Sequence, residues 1–155
     1  MFCFQCQETF KNEGCKIQGV CGKKEDTANM QDLLVYVTKG LAEVINKKGE
    51  VEERFYDRLS NNLFVTITNA NFDTEAILAI VKETIAMKDE LLGDVSKEGL
   101  SDFALYSSDD DEELTRKAIE VGVLNIMNED ERSLTELVIY GLKGMAAYNH
   151  HANVL

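Results

Sequence analysis

The chain has 155 residues, a net charge of −12 and no proline or tryptophan, and 45% of its residues are hydrophobic. This length suits one soluble domain with a sizeable core, and the lack of proline favours helices. The acidic balance argues against nucleic-acid binding, because a phosphate-binding surface needs clustered Lys and Arg. No apolar run approaches the length of a membrane span, and no secretory signal precedes the first cysteines. We therefore expect a cytoplasmic protein with neither a membrane nor a nucleic-acid partner.

All four cysteines of the chain lie within its first 21 residues, in the spacing C-x2-C-x8-C-x5-C. Four thiolates this close in sequence indicate one ligand set, and therefore a metal or iron–sulfur site. Interleaved glycines permit positive φ angles and close backbone approach, so that N–H groups can point at the sulfurs. The predicted ligands are Cys3, Cys6, Cys15 and Cys21, and the interleaved glycines are Gly14, Gly19 and Gly22.

Three kinds of site are compatible with this spacing. An iron–sulfur cluster is favoured, although the ferredoxin run C-x2-C-x2-C-x3-C-P is absent. Structural zinc comes second, since zinc sites usually pair two C-x2-C knuckles and only Cys3 and Cys6 form one here. Disulfides or free thiols, including a redox-sensing pair, come last because cytoplasmic thiols stay reduced.

The first 25 residues carry four lysines and three glutamates, so this segment is not acidic, whereas residues 26–155 have a large negative net charge. A site held by four thiolates is anionic, and a less acidic segment suits it. Chance variation in a short segment explains the difference equally well. We expect one structural domain, in which residues 1–25 form the cysteine loop and residues 26–155 form an antiparallel helical bundle.

Three helices are predicted in the first part of the bundle. Residues 27–48 place apolar side chains at steps of three and four, and Gly49 suits the end of this helix. Residues 52–69 show a four-residue step, although residues 63–68 would also suit a strand by propensity. A third helix is predicted to begin after an N-cap at Asp73 and to end at Gly93.

The second part of the bundle is predicted to contain a loop and two helices. Residues 94–111 are predicted as a loop and residues 112–121 as a short helix. The final helix is predicted to start near Ser133, which has capping-box spacing with Glu136, or a turn earlier at Asn128. Its two interior glycines, three residues apart, would let a neighbouring helix or the cofactor loop approach closely. They are Gly141 and Gly144.

Two conspicuous groups of polar residues are expected to have no ligand role. His150 and His151 are the only histidines, and adjacent residues project about 100° apart on a helix, which makes them a poor chelating pair. We expect them on the surface or on the terminal helix. The acidic run at 109–113 lacks the glycine of a calcium loop, so we expect a solvated segment that enters a helix.

Several collinear segments of the sequence resemble the hybrid cluster (prismane) proteins, a family of hydroxylamine reductases. The resemblance covers nearly the whole chain, weakens between about residues 93 and 120, and is made specific by the matching cysteine pattern. It rests on residues 1–9, 14–15, 19–23, 27–34, 66–73, 128–134, 141–144, 146–148 and 151–152.

This resemblance implies an all-helical N-terminal domain with a cluster at its tip, ligated by Cys3, Cys6, Cys15 and Cys21. In that family the shorter cysteine spacing, which this chain matches, goes with a [4Fe–4S] cubane, and a longer spacing goes with [2Fe–2S]. Catalysis in the family takes place elsewhere, at a hybrid cluster held by Cys, Glu and His residues much further along a longer chain. This chain has no cysteine after Cys21, so we do not expect it to reduce hydroxylamine by itself.

Two functional hypotheses follow. In the first, the chain is an electron-transfer domain that receives electrons from a reductase and relays them to a hybrid-cluster active site on the remainder of a hybrid cluster protein. In the second, the chain is a structural or interaction module whose fold is stabilised by zinc or by a redox-inert cluster. It would dock onto a partner through an apolar face of the last helix near residues 134–148.

Overall fold

The computed structural model describes residues 2–68 and 70–154, and the chain is all-helical over these ranges, as predicted. The described residues contain one isolated antiparallel bridge, a tight turn at Phe10–Asn12 and a single turn of 3-10 helix at Val123–Asn125. The α-helices are α1 (Glu25–Lys48), α2 (Glu53–Val65), α3 (Thr74–Leu92), α4 (Asp102–Leu105), α5 (Asp111–Glu120) and α6 (Glu129–Val154).

Helix α1 is the centre of the fold, since it packs against α2, α3, α4 and α5. It begins two residues before the predicted start, and it ends as predicted, with Gly49 at φ 90°. The Gly49 N–H donates to the carbonyl of Ile45 at 2.8 Å. Only glycine adopts this left-handed conformation without strain, so the sequence marks the end of α1 unambiguously.

Helix α2 ends four residues before its predicted end, and Asn69 itself lies outside the described residues. Residues 63–65 belong to this helix and residues 66–68 form a turn, so the strand favoured by propensity is not formed. The Thr66 hydroxyl donates to the carbonyl of Leu63 at 2.8 Å. This local bond occupies a carbonyl at the end of the helix and accompanies the change to a turn.

Helix α3 confirms the predicted cap, because the Asp73 carboxylate accepts a hydrogen bond from the Ala76 N–H at 3.0 Å. The prediction of a loop over residues 94–111 is wrong at the short helix α4. Tertiary contacts hold α4 in place: Lys88 donates to the carbonyl of Ala104, and a Cβ on Gly40 of α1 would lie only 2.1 Å from the carbonyl oxygen of Phe103. Such contacts leave no periodic signal in the sequence.

Helix α5 lies within one residue of its predicted range, and α6 starts at the earlier of its two predicted positions. The side-chain oxygen of Asn128 accepts from the Glu131 N–H at 3.0 Å, whereas Ser133 lies inside the helix. The expected close approach at Gly141 and Gly144 is wrong, because a Cβ at either position would meet no described atom within 4 Å.

Two groups of buried apolar side chains form the core. One joins α1, α3 and α5 through residues such as Leu33, Leu34 and Ile77, and the other joins α1 to α2, α3 and α4 around Leu41 and Phe55. Among the residues described, no helix is both long enough and apolar enough to cross a membrane.

Candidate metal centre

The part of the cysteine loop that is described and precedes α1, residues 2–24, folds back on itself so that Cys3 and Cys15 lie side by side. The Cys15 N–H donates to the Cys3 carbonyl at 2.7 Å, and the Phe2 N–H donates to the Cys15 carbonyl at 2.9 Å. Residues twelve apart in sequence thus become neighbours through backbone pairing alone. The loop therefore brings its first and third cysteines to one place.

Between these cysteines the chain makes a tight turn with an unusual backbone. Lys11 and Asn12 have φ angles of 55° and 58°, a region that costs a non-glycine residue roughly 1–2 kcal/mol. This conformation was not predicted at either residue, since a lysine rarely adopts it. Strain of this kind persists where the surrounding structure demands it, and it is often found at ligand sites.

The environment of Cys15 favours its thiolate. This residue is buried, yet the backbone N–H of Phe10, then that of Val20 and the Thr9 hydroxyl, lower the pKa of its thiol more than burial raises it. The Thr9 Oγ1 lies 3.8 Å from the Cys15 sulfur. Backbone N–H groups near sulfur were expected from the glycine-rich sequence, and such groups also tune iron–sulfur sites in general.

Gly19 provides the close backbone approach, and Gly22 the positive φ angle, that the sequence predicted for these glycines. A Cβ on Gly19 would lie 3.0 Å from the carbonyl oxygen of Lys23 and 3.2 Å from the sulfur of Cys21. The Gly19 N–H donates to that same carbonyl at 2.8 Å, and Gly22 has a φ of 93°. A side chain at Gly19 would force these neighbouring atoms to move, so glycine here lets the loop pass close to the fourth cysteine.

The four cysteines are free thiols with graded exposure. Cys3 and Cys6 are half-buried, Cys15 is buried and Cys21 is exposed. Burial raises the pKa of the Cys3 thiol, while the positive charge of Lys23 acts in the opposite direction. Within the described ranges, no three His, Cys, Asp or Glu side chains converge as ligands of a single metal ion. The loop fits a cluster by its donor chemistry and its close backbone approach to sulfur, not by converged ligand atoms.

Beneath the loop lies a chain of polar contacts that sequence reasoning missed. The buried Lys23 donates to the side-chain oxygen of Gln31 at 2.7 Å, and the amide of Gln31 donates to the carbonyl of Asn71 at 3.0 Å. A second buried lysine, Lys143 of α6, donates to the carbonyl of Thr66 at 3.2 Å. Both lysines therefore tie the loop and α6 to the segment that joins α2 to α3.

Two carboxylates complete this polar region. Burial raises the pKa of Asp32 to about 7, and it also raises the pKa of Glu136. Burial lowers the pKa of Lys143, and the two acids oppose that shift. A small cavity of about 20 Å³ is lined by Cys3, Asp32 and Glu136 among other residues. The first cysteine and these two half-buried acids therefore line one small cavity.

The sequence contains patterns from which the burial of these polar residues could have been predicted. Lys143 lies four residues after Ile139 and three before Ala146, so it falls on the buried stripe of α6. Moreover, Lys23, Gln31 and Lys143 belong to segments that carry the family resemblance, 19–23, 27–34 and 141–144, and the backbone carbonyls that Gln31 and Lys143 reach belong to another, 66–73. Segments distant in sequence meet in space at the base of the cysteine loop.

The two histidines lie outside this region, near the end of α6 as expected. The His150 ring stacks on Phe64 of α2 with 4.0 Å between ring centroids and 14° between ring planes. His151 lies on the same helix and is exposed. Their contacts are those of helix packing.

Comparison with known proteins identifies the family. The model of the Prismane/CO dehydrogenase family matches residues 1–155. The chain belongs to this family. Membership implies that an iron–sulfur cluster is bound, in agreement with the chemistry of the four thiols.

Curated relatives named hydroxylamine reductase match the whole chain. The chain is 51% identical to the protein of Desulfitobacterium hafniense (strain Y51), with 100% of this chain and 30% of the relative covered. It is 52% identical to the protein of Clostridium perfringens (strain 13 / Type A), with 98% and 30% covered. It is 46% identical to that of Methanocaldococcus jannaschii, with 98% and 29% covered. The chain thus spans about 30% of the length of these relatives.

Proposed function

We propose that this chain is an electron-transfer domain that binds a [4Fe–4S] cluster through Cys3, Cys6, Cys15 and Cys21. One observation carries the proposal: the only four thiols of the chain lie on one loop whose glycines let the backbone pass close to sulfur. When bound, the cluster supplies one-electron redox chemistry. The protein determines the position of the cluster, its electrostatic surroundings and how far water is excluded from it.

The graded exposure of the cysteines suits a relay. Cys21 is exposed, and its neighbours Ile17 and Val20 are 95% and 58% exposed. Cys15 is buried against the rest of the loop, and Cys3 faces the cavity near α6. In this proposal an external reductase approaches the exposed edge of the site at Cys21, and the edge at Cys3 lies toward the bundle.

The partners follow from the same proposal. Electrons come from a reductase and go to a hybrid-cluster active site on the remainder of a hybrid cluster protein, where hydroxylamine is reduced to ammonia. This agrees with the relatives named hydroxylamine reductase, of which this chain covers about 30%. Because the chain has no cysteine after Cys21, we assign electron transfer to this chain and the reduction of hydroxylamine to the remainder of the protein.

An anaerobic redox titration tests the relay. The chain is purified or reconstituted without oxygen, reduced with dithionite and followed by visible absorbance and electron paramagnetic resonance. The proposal predicts a sulfur-to-iron absorbance that bleaches reversibly with one electron per cluster. A preparation that holds zinc alone, or a chromophore that no reductant bleaches, would contradict the electron-transfer role.

A specific feature of α6 favours a second role, docking to a partner. The side chains of Leu137, Val138 and Met145 are 67%, 61% and 69% exposed, although they continue an apolar face along the helix. Beside this face, α1, α2 and α6 enclose an apolar groove of about 500 Å³. Large exposed apolar faces are typical of interaction sites. We propose that the remainder of a hybrid cluster protein covers this face.

Co-expression tests the docking role. A tagged form of this chain is produced together with the rest of the Desulfitobacterium relative, and the complex is isolated by its tag. Leu137→Ser and Met145→Ser together are expected to abolish co-purification, while Thr115→Ser on the exposed side of α5 leaves it unchanged. If all variants co-purify the same amount of the partner, the apolar face of α6 is not the docking surface.

A further inference from the structure

Lys23 is a charged side chain buried with only a neutral partner. It is 1% exposed, and its ammonium donates to the side-chain oxygen of Gln31 at 2.7 Å. The amide nitrogen of Gln31 donates to the Asn71 carbonyl, so the oxygen of Gln31 is held toward Lys23. A buried charge is costly unless an opposite charge lies close by. The question is which anion compensates Lys23.

A buried lysine elsewhere in the bundle shows how the chain solves this problem with a carboxylate. Lys88 is fully buried, and its ammonium lies 2.6 Å from a carboxylate oxygen of Asp89. For Lys23, no carboxylate of residues 2–68 and 70–154 lies within ion-pair distance. Asp32 interacts with Lys23 from further away, but burial raises the pKa of this acid to about 7, which leaves it partly neutral.

The remaining groups near Lys23 that can carry a negative charge are the thiols of the loop. The Cys3 and Cys15 side chains lie within electrostatic range of Lys23, and Lys23 follows Cys21 by only two residues. The backbone around Lys23 is also part of the loop, because its carbonyl accepts from the Gly19 N–H at 2.8 Å. The ammonium is thus fixed in position by Gln31, next to a loop that becomes strongly anionic only when its thiols bind metal.

We propose that Lys23 is the built-in countercharge of the metal-loaded cysteine loop, which it stabilises, and that it raises the reduction potential of an iron–sulfur cluster bound there. One electron added by a reductant such as dithionite makes the site more negative, and a fixed positive charge favours that state. The effect on the potential rests on the proposed electron-transfer function. The effect on stability requires only that the four thiolates hold a metal.

The experiment compares the gain in melting temperature on metal loading. Lys23→Met removes the charge, Lys23→Arg keeps it, and Lys88→Met removes a buried charge far from the loop. Each protein is melted without metal, loaded with zinc, and loaded with a reconstituted cluster. Loss of the Gln31 hydrogen bond affects all forms of Lys23→Met alike, so the gain on loading isolates the interaction between Lys23 and the loaded loop.

We expect the gain on loading to be smaller in Lys23→Met than in the parent protein by about 3 °C or more. Lys23→Arg should recover most of this gain, and Lys88→Met should lower every melting temperature while leaving the gain unchanged. In the cluster-loaded form, Lys23→Met should have a lower reduction potential than the parent protein and Lys23→Arg. A purely structural lysine would not produce this shift.

Equal loading gains and equal potentials in Lys23→Met and the parent protein would overturn the inference. If the metal-free Lys23→Met chain does not fold, Lys23→Gln provides the same comparison, since its amide can still donate to Gln31. If the protein accepts zinc only, the electron-transfer function fails, whereas the zinc-loading arm still tests Lys23. The two claims are therefore separable.

Discussion

The cysteine loop and the helical bundle are held together by different means. The bundle has two buried apolar clusters along α1, supplemented by caps and surface ion pairs such as Arg58–Glu83. The loop has few buried side chains, contains two strained residues and relies on a small number of backbone hydrogen bonds. Hydrophobic burial is the main stabilising term in folding. The comparison therefore suggests that the bundle folds on its own core, whereas the loop depends on what its thiols bind.

Cys6→Ser is expected to give the largest effect and to separate the two regions. Serine cannot replace a thiolate ligand of iron effectively, so the cluster should be lost or converted to another type. The helical circular dichroism should remain, because none of the core side chains is changed. Collapse of the helical signal together with the cluster would show that the bundle depends on the site.

Leu41→Ala is the reciprocal change in the bundle. Leu41 is fully buried in the cluster of side chains that α1 shares with α2, α3 and α4. Leu→Ala in a core leaves a cavity and costs about 2–5 kcal/mol. Urea unfolding should show this loss, while the iron content per folded chain stays at the parent value. A parallel loss of iron from the folded protein would contradict the independence of the two regions.

Gly19→Ala and Gly141→Ala form a matched pair of small changes. The first places a Cβ 3.0 Å from the backbone carbonyl of Lys23, so the loop must shift and cluster occupancy should fall severalfold. The second meets no described atom within 4 Å and should stabilise α6 by about 0.5–1 kcal/mol. Iron content and melting temperature measure the two effects. Equal iron content in both variants would show that cluster binding does not require a glycine at position 19.

Asp32→Asn is expected to change the pH dependence of stability. Burial raises the pKa of Asp32 from 3.8 to about 7, so between about pH 4 and 7 the folded protein binds a proton that the unfolded chain has released. The free energy of unfolding therefore falls as pH rises through this window. The variant should lack this loss and exceed the parent protein by about 1–2 kcal/mol at pH 8.

The control for this prediction is Asp57→Asn on the exposed side of α2, which should leave the pH slope unchanged. Urea unfolding at several pH values, with the metal content held constant, gives the comparison. A parent protein whose stability does not fall between about pH 4 and 7 would show that Asp32 is ionised without cost in the folded state.

Much of the fold was predictable because it depends on local signals. The periodic apolar stripe of α1, the cap at Asp73 and the glycine at 49 each determine a helix boundary through nearby atoms. The short helix α4 was missed because it is held by Lys88 and Gly40, which are distant in sequence. The strand preference of residues 63–68 was outweighed by packing, as expected for a weak local propensity.

The features of the candidate site also fall into those that local sequence signals predict and those that depend on residues distant in sequence. The cysteines and the role of Gly19 follow from spacing and from the geometry that only glycine permits. The buried Lys23, Gln31 and Lys143 were missed, because composition does not show where a lysine lies in a fold. Their positions depend on the meeting of four distant segments. The predicted identity of the four ligands and the division at residue 25 stay predictions.

The most direct test of the account is the content of iron, acid-labile sulfide and zinc in protein purified without oxygen. The account predicts about four irons and about four sulfides per chain, as expected for a cubane held by four cysteines. About one zinc per chain without sulfide would contradict the electron-transfer role. In that case the loop would be a structural staple, and the exposed face of α6 would become the main candidate for function.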